Sequence, residues 1–254
     1  DPSICLRFNG NDLIIEAGGV LDITGGVRVS PGALRVEMGG GNITGEGEIR
    51  GAGCIPGSIG VFSTCELVGI GDMDLPTVYT ACGDNSHPNP LTIEATGNVT
   101  IDTLNNGDDA IGGNQGFPIE VTAGSMNLAD IDTHAMRGVQ GGGVTGQSAG
   151  LVTLRARNAF GDNTFDNRIT IRGVINQEPA QLAGALPGGG LSISAVRVEF
   201  AAGASWLPNP VEGTPAPDIH AGIAPPGISE SDLFVDDAQT GLTAIHDVPW
   251  DYSS

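Results

Sequence analysis

The chain has no lysine: its ten basic residues are all arginine, set against 30 acidic ones for a formal charge of −20 at pH 7. With so few cations to hold a phosphate backbone, nucleic acid is not an expected partner. Side-chain amine cross-links are excluded as well. Aromatic residues make up only 4% of the sequence, so a core must be built from Val, Ile, Leu and Ala. No apolar run reaches the roughly 18 residues of a membrane-spanning helix, and no membrane span is expected. The sequence from Asp1 shows neither the basic n-region nor the apolar h-region of a retained signal peptide. Cysteine is confined to Cys5, Cys54, Cys65 and Cys82, without paired C-x-x-C spacing and a matching His set, and no metal site is expected of them. No stretch of ten or more residues combines helical apolar spacing with a Gly-free interior.

Glycine is plentiful, at 41 of 254 residues, and 39% of the chain is apolar. Period-2 runs recur, as in Leu13/Ile15/Ala17, Leu34/Val36/Met38 and Val152/Leu154/Ala156. Alternation of this kind, punctuated by glycine, predicts many short strands and an all-β fold. The four cysteines lie in the first third of an acidic, loop-rich chain, which fits two disulfides formed in an oxidising compartment. Three pairings are open to them.

One phrase is repeated. Apolar-x-apolar-x-Ala begins at Leu13, Leu91, Ile119, Val152 and Leu191, as "LIIEA", "LTIEA", "IEVTA", "VTLRA" and "LSISA". The spacings of 78, 28, 33 and 39 residues are irregular, and the first leaves room for about three intervening coils. Each copy reads as a strand with one face inward, ending at a corner where Ala17, Ala95, Ala123, Ala156 or Ala195 leaves space for no more than a methyl group. Glu16, Glu94, Glu120, Arg155 and Ser194 fall on outward positions. A second alternating pair follows each of the first three corners, Leu21/Ile23, Val99/Ile101 and Met126/Leu128. Strand, corner and strand make most of one turn of a solenoid, in which a coil buries its apolar face only against its neighbours.

The run "IEVTAGSMNLADIDT", followed by "GGGVTGQSAGLVTLRARN", "ITIRGVIN" and "GGGLSISAVRVEF", resembles the repeats of filamentous-haemagglutinin-like and autotransporter-passenger β-solenoids over roughly residues 11–205. The resemblance implies a right-handed parallel β-helix formed by a single chain, an extracellular or cell-surface location, and an adhesive or structural role. The cysteines, the short length and the irregular coils depart from that pattern. We expect the solenoid to occupy residues 1–205. Residues 206–254 hold seven of the 16 prolines and read as an extended arm, with Phe234, Val235, Trp250 and Tyr252 as apolar anchors. An arm without its own core, beside solenoid ends without an evident capping helix, predicts a homo-oligomer or filament. A glycan or a surface receptor is a further candidate partner.

Chemistry has one candidate. In "NNGDDAIGG", residues 105–113, the adjacent Asp108 and Asp109 are the residue types needed for acid and base in glycoside hydrolysis. Asp84, His134 and Arg168 follow an order that loosely resembles polygalacturonase-type β-helix hydrolases, whose Asn-Thr-Asp, Gly-Asp-Asp, Gly-His-Gly and Arg-Ile-Lys motifs fall in that sequence. Only Gly-Asp-Asp is complete here: His134 sits in "THAMRG", and no lysine follows Arg168-Ile169. The reading preferred for Asp108 and Asp109 is therefore a turn that hydrogen-bonds local amides, and the polysaccharide hydrolase stands as the alternative. The acidic stretches "GIGDMD" at 69–74 and "FGDNTFDN" at 160–167 offer oxygens of the kind Ca2+ takes, without the twelve-residue spacing of a helix-loop-helix site. They read as solvated turns, and no cofactor is expected. His87, His220 and His246 share no spacing with His134. Asn42 and Asn98 match the N-glycosylation sequon and also serve as turn residues before strands.

Overall fold

The structure is a computed structural model that describes residues 6–8, 13–16, 20–22, 27–29, 34–37, 40–51, 65–79, 90–107, 116–135, 138–140, 143–145, 149–156, 167–178, 189–195, 197–207 and 217–221. Every regular element among them is a strand. After β1 (Leu6–Phe8), the chain runs through coils of the same plan. The first two comprise β2 (Leu13–Glu16), β3 (Val20–Asp22) and β4 (Val27–Val29), then β5 (Leu34–Glu37), β6 (Asn42–Thr44) and β7 (Glu48–Gly51). The next three use two longer strands each: β8 (Cys65–Ile70) and β9 (Met73–Tyr79), β10 (Leu91–Ala95) and β11 (Asn98–Asn105), β12 (Ile119–Ala123) and β13 (Ser125–Asp132). A hairpin, β14 (Gly138–Gln140) and β15 (Gly143–Thr145), comes next. The last coils are β16 (Val152–Ala156), β17 (Arg168–Ile171) and β18 (Val174–Asn176), then β19 (Leu191–Ala195), β20 (Arg197–Phe200) and β21 (Ser205–Leu207), ending with β22 (Asp218–Ala221).

Two parallel sheets result. The 8-stranded sheet has the order β2-β5-β8-β10-β12-β16-β19-β22, one strand from each successive coil, and the 12-stranded sheet collects the remaining rungs. Only the hairpin is antiparallel. This is a parallel β-solenoid, as the repeated phrase requires, and the five copies stand at the same level of the 8-stranded sheet. Leu91 pairs with Ile119, Ile119 with Val152 and Val152 with Leu191, while Leu13 connects to Leu91 through Leu34 and Cys65.

The first gap thus holds two further rungs, β5 and β8, where about three were expected. Both escape the phrase at its corner. β5 has Met38 where the others have alanine, and β8 carries an extra residue, so that Ile70, not Gly69, faces Ala95. Gly69 absorbs this bulge with a φ of 65°, a conformation open to glycine without steric cost.

Stacking builds the core from aliphatic columns. Along the 8-stranded sheet Val36, Leu67, Ile93, Val121, Leu154 and Ile193 lie in register, and all are fully buried. Ile49, Val78, Leu104, Ile131 and Ile175 form an equivalent buried column in the other sheet. Like-sized side chains repeated at the rung spacing of about 4.8 Å fill the interior without large rings, which accounts for the scarcity of aromatics. Of the corner alanines, Ala123, Ala156 and Ala195 are fully buried and Ala95 is half-buried against the same core. Ala17 lies outside the described residues. Glu94 is exposed, and Glu120, Arg155 and Ser194 are half-buried, with Arg155 Nη1 donating to Glu120 Oε1 on the rung before it.

The stack also runs beyond residue 205. β21 pairs with β18 through Ile175 and Trp206, and β22 pairs with β19, setting Ile219 on Ile193 and Ala221 on Ala195. The strand phrase is hidden there because Pro217 precedes Asp218 where the other rungs begin with an apolar residue. The anchors Phe234, Val235, Trp250 and Tyr252 lie outside the described residues.

Candidate functional site

The longer stretches of chain between consecutive strands fall mostly at one corner. The chain passes from the 12-stranded to the 8-stranded sheet between Gly51 and Cys65, Tyr79 and Leu91, Asn105 and Ile119, Asp132 and Val152, Asn176 and Leu191, and Leu207 and Asp218. The return corner is tight, with the stretch between Ala156 and Arg168 as the long exception. Loops that gather on one edge of a rigid scaffold are where binding and catalytic groups concentrate. Asp84, Asp108 and Asp109 belong to these passages and lie outside the described residues, as do Cys5, Cys54 and Cys82. Cys65 begins β8, level with Leu34 and Leu91.

His134 stands at the foot of one passage. Its Nδ1 lies 2.5 Å from Asp132 Oδ1, and the same oxygen accepts the His134 backbone N–H at 2.9 Å. Asp132 is in register with Asn105 on one side and Asn176 on the other, and both asparagines do the same thing. Asn105 Oδ1 accepts from Gly107 N at 2.9 Å and Asn176 Oδ1 from Glu178 N at 3.3 Å. Three successive coils therefore leave the sheet through one kind of side-chain-capped turn, in which an Asx oxygen accepts the backbone N–H two residues on. The aspartate beside His134 is a member of that ladder, and the histidine ring is held against it as a consequence of the turn.

Gly107 packs beneath this pair; a Cβ there would meet His134 Nδ1 at 2.8 Å and Asp132 Oδ1 at 3.1 Å. Gly107, which opens the Gly-Asp-Asp stretch, thus lies one rung from His134. Arg168 is not brought to the same place. It is paired with Arg197 at the opening of β17, one residue before the Ile169–Met126 pair. Its level is that of Ser125, at the other end of β13 from His134. Nine residues of chain separate those two levels, and between them the pairing of β13 passes from β17 to β18. Motif order in the sequence therefore does not by itself place Arg168 with His134: adjacent coils bring neighbouring motifs together only when both stand at the same corner.

Inside the loop edge is a set of buried polar residues that the sequence reading did not single out. Asn106, Thr133 and Gln177 are fully buried. Asn106 Nδ2 donates to Pro118 O at 2.8 Å and Thr133 Oγ1 to Gly150 O at 3.0 Å. Gln177 Nε2 lies within bonding distance of both Gly150 O at 2.8 Å and Gly190 O at 2.6 Å, while Gln177 Oε1 accepts Trp206 Nε1 at 2.8 Å. Main-chain bonds close the neck of each loop: Phe117 N to Asn106 O, Gly150 N to Thr133 O and Gly189 N to Gln177 O. Buried polar groups need such partners, and a network satisfied this far pins the returning strand at one register. The signal was present as "LNN", "IDT" and "INQ" at 104–106, 131–133 and 175–177, an apolar residue, an Asx and a second polar residue at the end of each strand.

The opposite corner is stitched in a related way. Asn42 Oδ1 accepts from Asp72 N and Asp72 Oδ1 from Asn98 N, each at 2.8 Å. In the "GIGDMD" stretch, Asp72 is thus committed to the next rung, in the role of a turn residue. Asn42 of the first sequon has the same role, and Asn98 of the second is exposed. Within "FGDNTFDN" only Asn167 is described; it is buried, with a φ of 41°. Among the described residues no three His, Cys, Asp or Glu side chains converge as a metal site, and no helix is long and apolar enough to cross a membrane.

A shallow groove of about 530 Å³ runs across the outer face of β11, β13, β17 and β20 in the 12-stranded sheet, lined by residues including Asn98, Thr100, Asn127, Arg168, Thr170 and Glu199. Compared with known proteins, the chain matches no family model, no curated protein and no solved structure.

Proposed function

We propose that the chain is an extracellular structural solenoid of the adhesin-like kind, which joins end to end with copies of itself. The observation that carries this reading is the state of the terminal rungs. Among the described residues, β1 and β2 at one end and β20, β21 and β22 at the other pair on one side only. An unpaired parallel edge is a template for another strand, and a head-to-tail contact between two different ends does not close on itself. The side-chain chemistry points the same way: Asn42, Asp72, Thr133 and Gln177 are spent on stacking, and Asp132 and His134 are tied together in a turn. A hydrolase built on Asp108 and Asp109 would have to find its third group elsewhere.

The arm from residue 222 onward supplies Phe234, Val235, Trp250 and Tyr252 as the apolar part of the contact. A chain truncated after residue 223 keeps β22 and is expected to remain β-rich by circular dichroism while losing the oligomers that light scattering detects in the full chain. Oligomers that survive the truncation would remove the arm from the contact.

An extracellular setting also asks that Cys5, Cys54, Cys65 and Cys82 be oxidised as two disulfides, each worth about 2 to 4 kcal/mol in a chain of this kind. Thiol titration of the unfolded, unreduced protein should find none. Four reactive thiols would argue for a reducing compartment.

A further inference from the structure

One buried column of the 12-stranded sheet is left open at its last member. Ile49, Val78, Leu104, Ile131 and Ile175 are fully buried, but Trp206, which follows Ile175 in register, is only half-buried. Its neighbour Leu207 is 41% exposed. Among the described residues β21 pairs with β18 alone, so these large apolar residues stand on a free sheet edge, the kind of edge that takes up another strand.

The same column starts at the other end of the chain with Leu6, which pairs with Val27, as Val27 does with Ile49. A second copy placed with its β1 following β21 therefore brings Leu6 to Trp206 and Arg7 to Leu207. β1 and β2 are consecutive in the chain, as are β21 and β22, so one displacement seats both strands. β2 then follows β22 with Ile15 at the level of Ile219, because Ile15, Val36, Leu67, Ile93, Val121, Leu154, Ile193 and Ile219 share one level. One rung position stays between the copies above β20. It is the next in chain order after β22, where the arm starts.

We infer that the contact between copies, which rests on the end-to-end reading above, is made by β1 and β2 of one copy against β21 and β22 of another, in the register that sets Leu6 on Trp206 and Arg7 on Leu207. The parallel ladder and the apolar column both run on across the joint. The charges agree with this register. Arg7, Arg28 and Arg50 already stand at one level on successive rungs, and like charges opposite one another in a sheet repel. Leu207 brings no further cation to that level.

Sedimentation velocity of the full, oxidised chain and its variants over a concentration series tests the register. Leu207→Arg is expected to weaken self-association about tenfold or more, by setting a cation against Arg7. Net charge alone predicts the opposite, since the substitution makes a chain of charge −20 less negative. Leu207→Asp, which makes it more negative, is expected to associate at least as tightly as the unaltered chain. Combining Leu207→Arg with Arg7→Glu should recover the association lost. Leu207 is exposed on the last rung of its column, and circular dichroism should be unchanged throughout; should Leu207→Arg not fold, Leu207→Asp decides, and weaker association by it overturns the register. Equal behaviour of the two Leu207 variants, or no recovery in the double variant, also overturns it while leaving assembly through another contact in place. An unaltered chain that stays monomeric overturns the end-to-end reading and this contact with it.

Discussion

Gly150→Ala is expected to destabilise the solenoid by about 3 kcal/mol or more, although the change adds a single methyl group. A Cβ at this position would stand 2.1 Å from Phe117 O and 2.4 Å from Phe117 C. These are backbone atoms of the preceding rung and cannot turn aside as a side-chain tip would. The same residue is bonded on both sides, its N–H donating to Thr133 O and its carbonyl accepting from Thr133 Oγ1 and Gln177 Nε2. Parting the rungs to admit the methyl group thus stretches bonds from two coils. Gly203→Ala provides the comparison. There the backbone has a φ of 92° with nothing within 4 Å of the added atom, and the expected cost is only the conformational one, about 1 kcal/mol. Urea unfolding of the two variants should show the larger loss at Gly150; equal losses would mean that rung contact at the loop edge is looser than described.

The second large effect is at Gln177. Replacing it with leucine keeps the volume but removes donors to Gly150 O and Gly190 O and the acceptor for Trp206 Nε1. The carbonyls retain other partners, Thr133 Oγ1 for Gly150 and Val152 N for Gly190, so the group left unsatisfied is the indole N–H. We expect a loss of about 3 kcal/mol, from one orphaned donor and two forfeited bonds. Trp206→Phe removes that donor, so Gln177→Leu should cost less in its background, by about 1 kcal/mol in a double-mutant cycle. Strict additivity would show that the Trp206–Gln177 bond contributes nothing.

These two sites also show what could and could not be read in advance. The repeated apolar-x-apolar-x-Ala phrase was legible because each coil needs the same inward side chains at one level, and five of the eight rungs of that sheet kept it intact. β5 and β8 were not counted because Met38 and the Gly69 bulge change the corner residue, and β22 was passed over because it starts after a proline. The loop-edge ladder was less legible for a different reason. Gln177 bonds main-chain oxygens at Gly150 and Gly190, 27 and 13 residues away, and nothing in local composition encodes a partner that exists only after stacking. Asp132 and His134 illustrate the converse. Their residue types and proximity suggest catalysis, and the register with Asn105 and Asn176 assigns the aspartate to a repeated turn.

The pairing of Arg168 with Arg197 was half visible. Arg168 drew attention through a motif order that the structure does not bring together at one corner, and its neighbour Arg197 gave no signal at all, since the two are 29 residues apart in sequence and meet only across the rungs.

End-to-end assembly of the solenoid is tested most directly by sedimentation velocity of the full, oxidised chain over a hundredfold range of concentration, on the order of micromolar upward, at low and high salt. With parallel rungs that are unpaired at both ends among the described residues, and with the arm proposed to supply apolar anchors, the weight-average sedimentation coefficient should rise steadily with concentration. The rise should persist at high salt, because backbone pairing and apolar contact are not screened as surface charges are. A single species with the mass of one 25.7 kDa chain at every concentration would contradict the account.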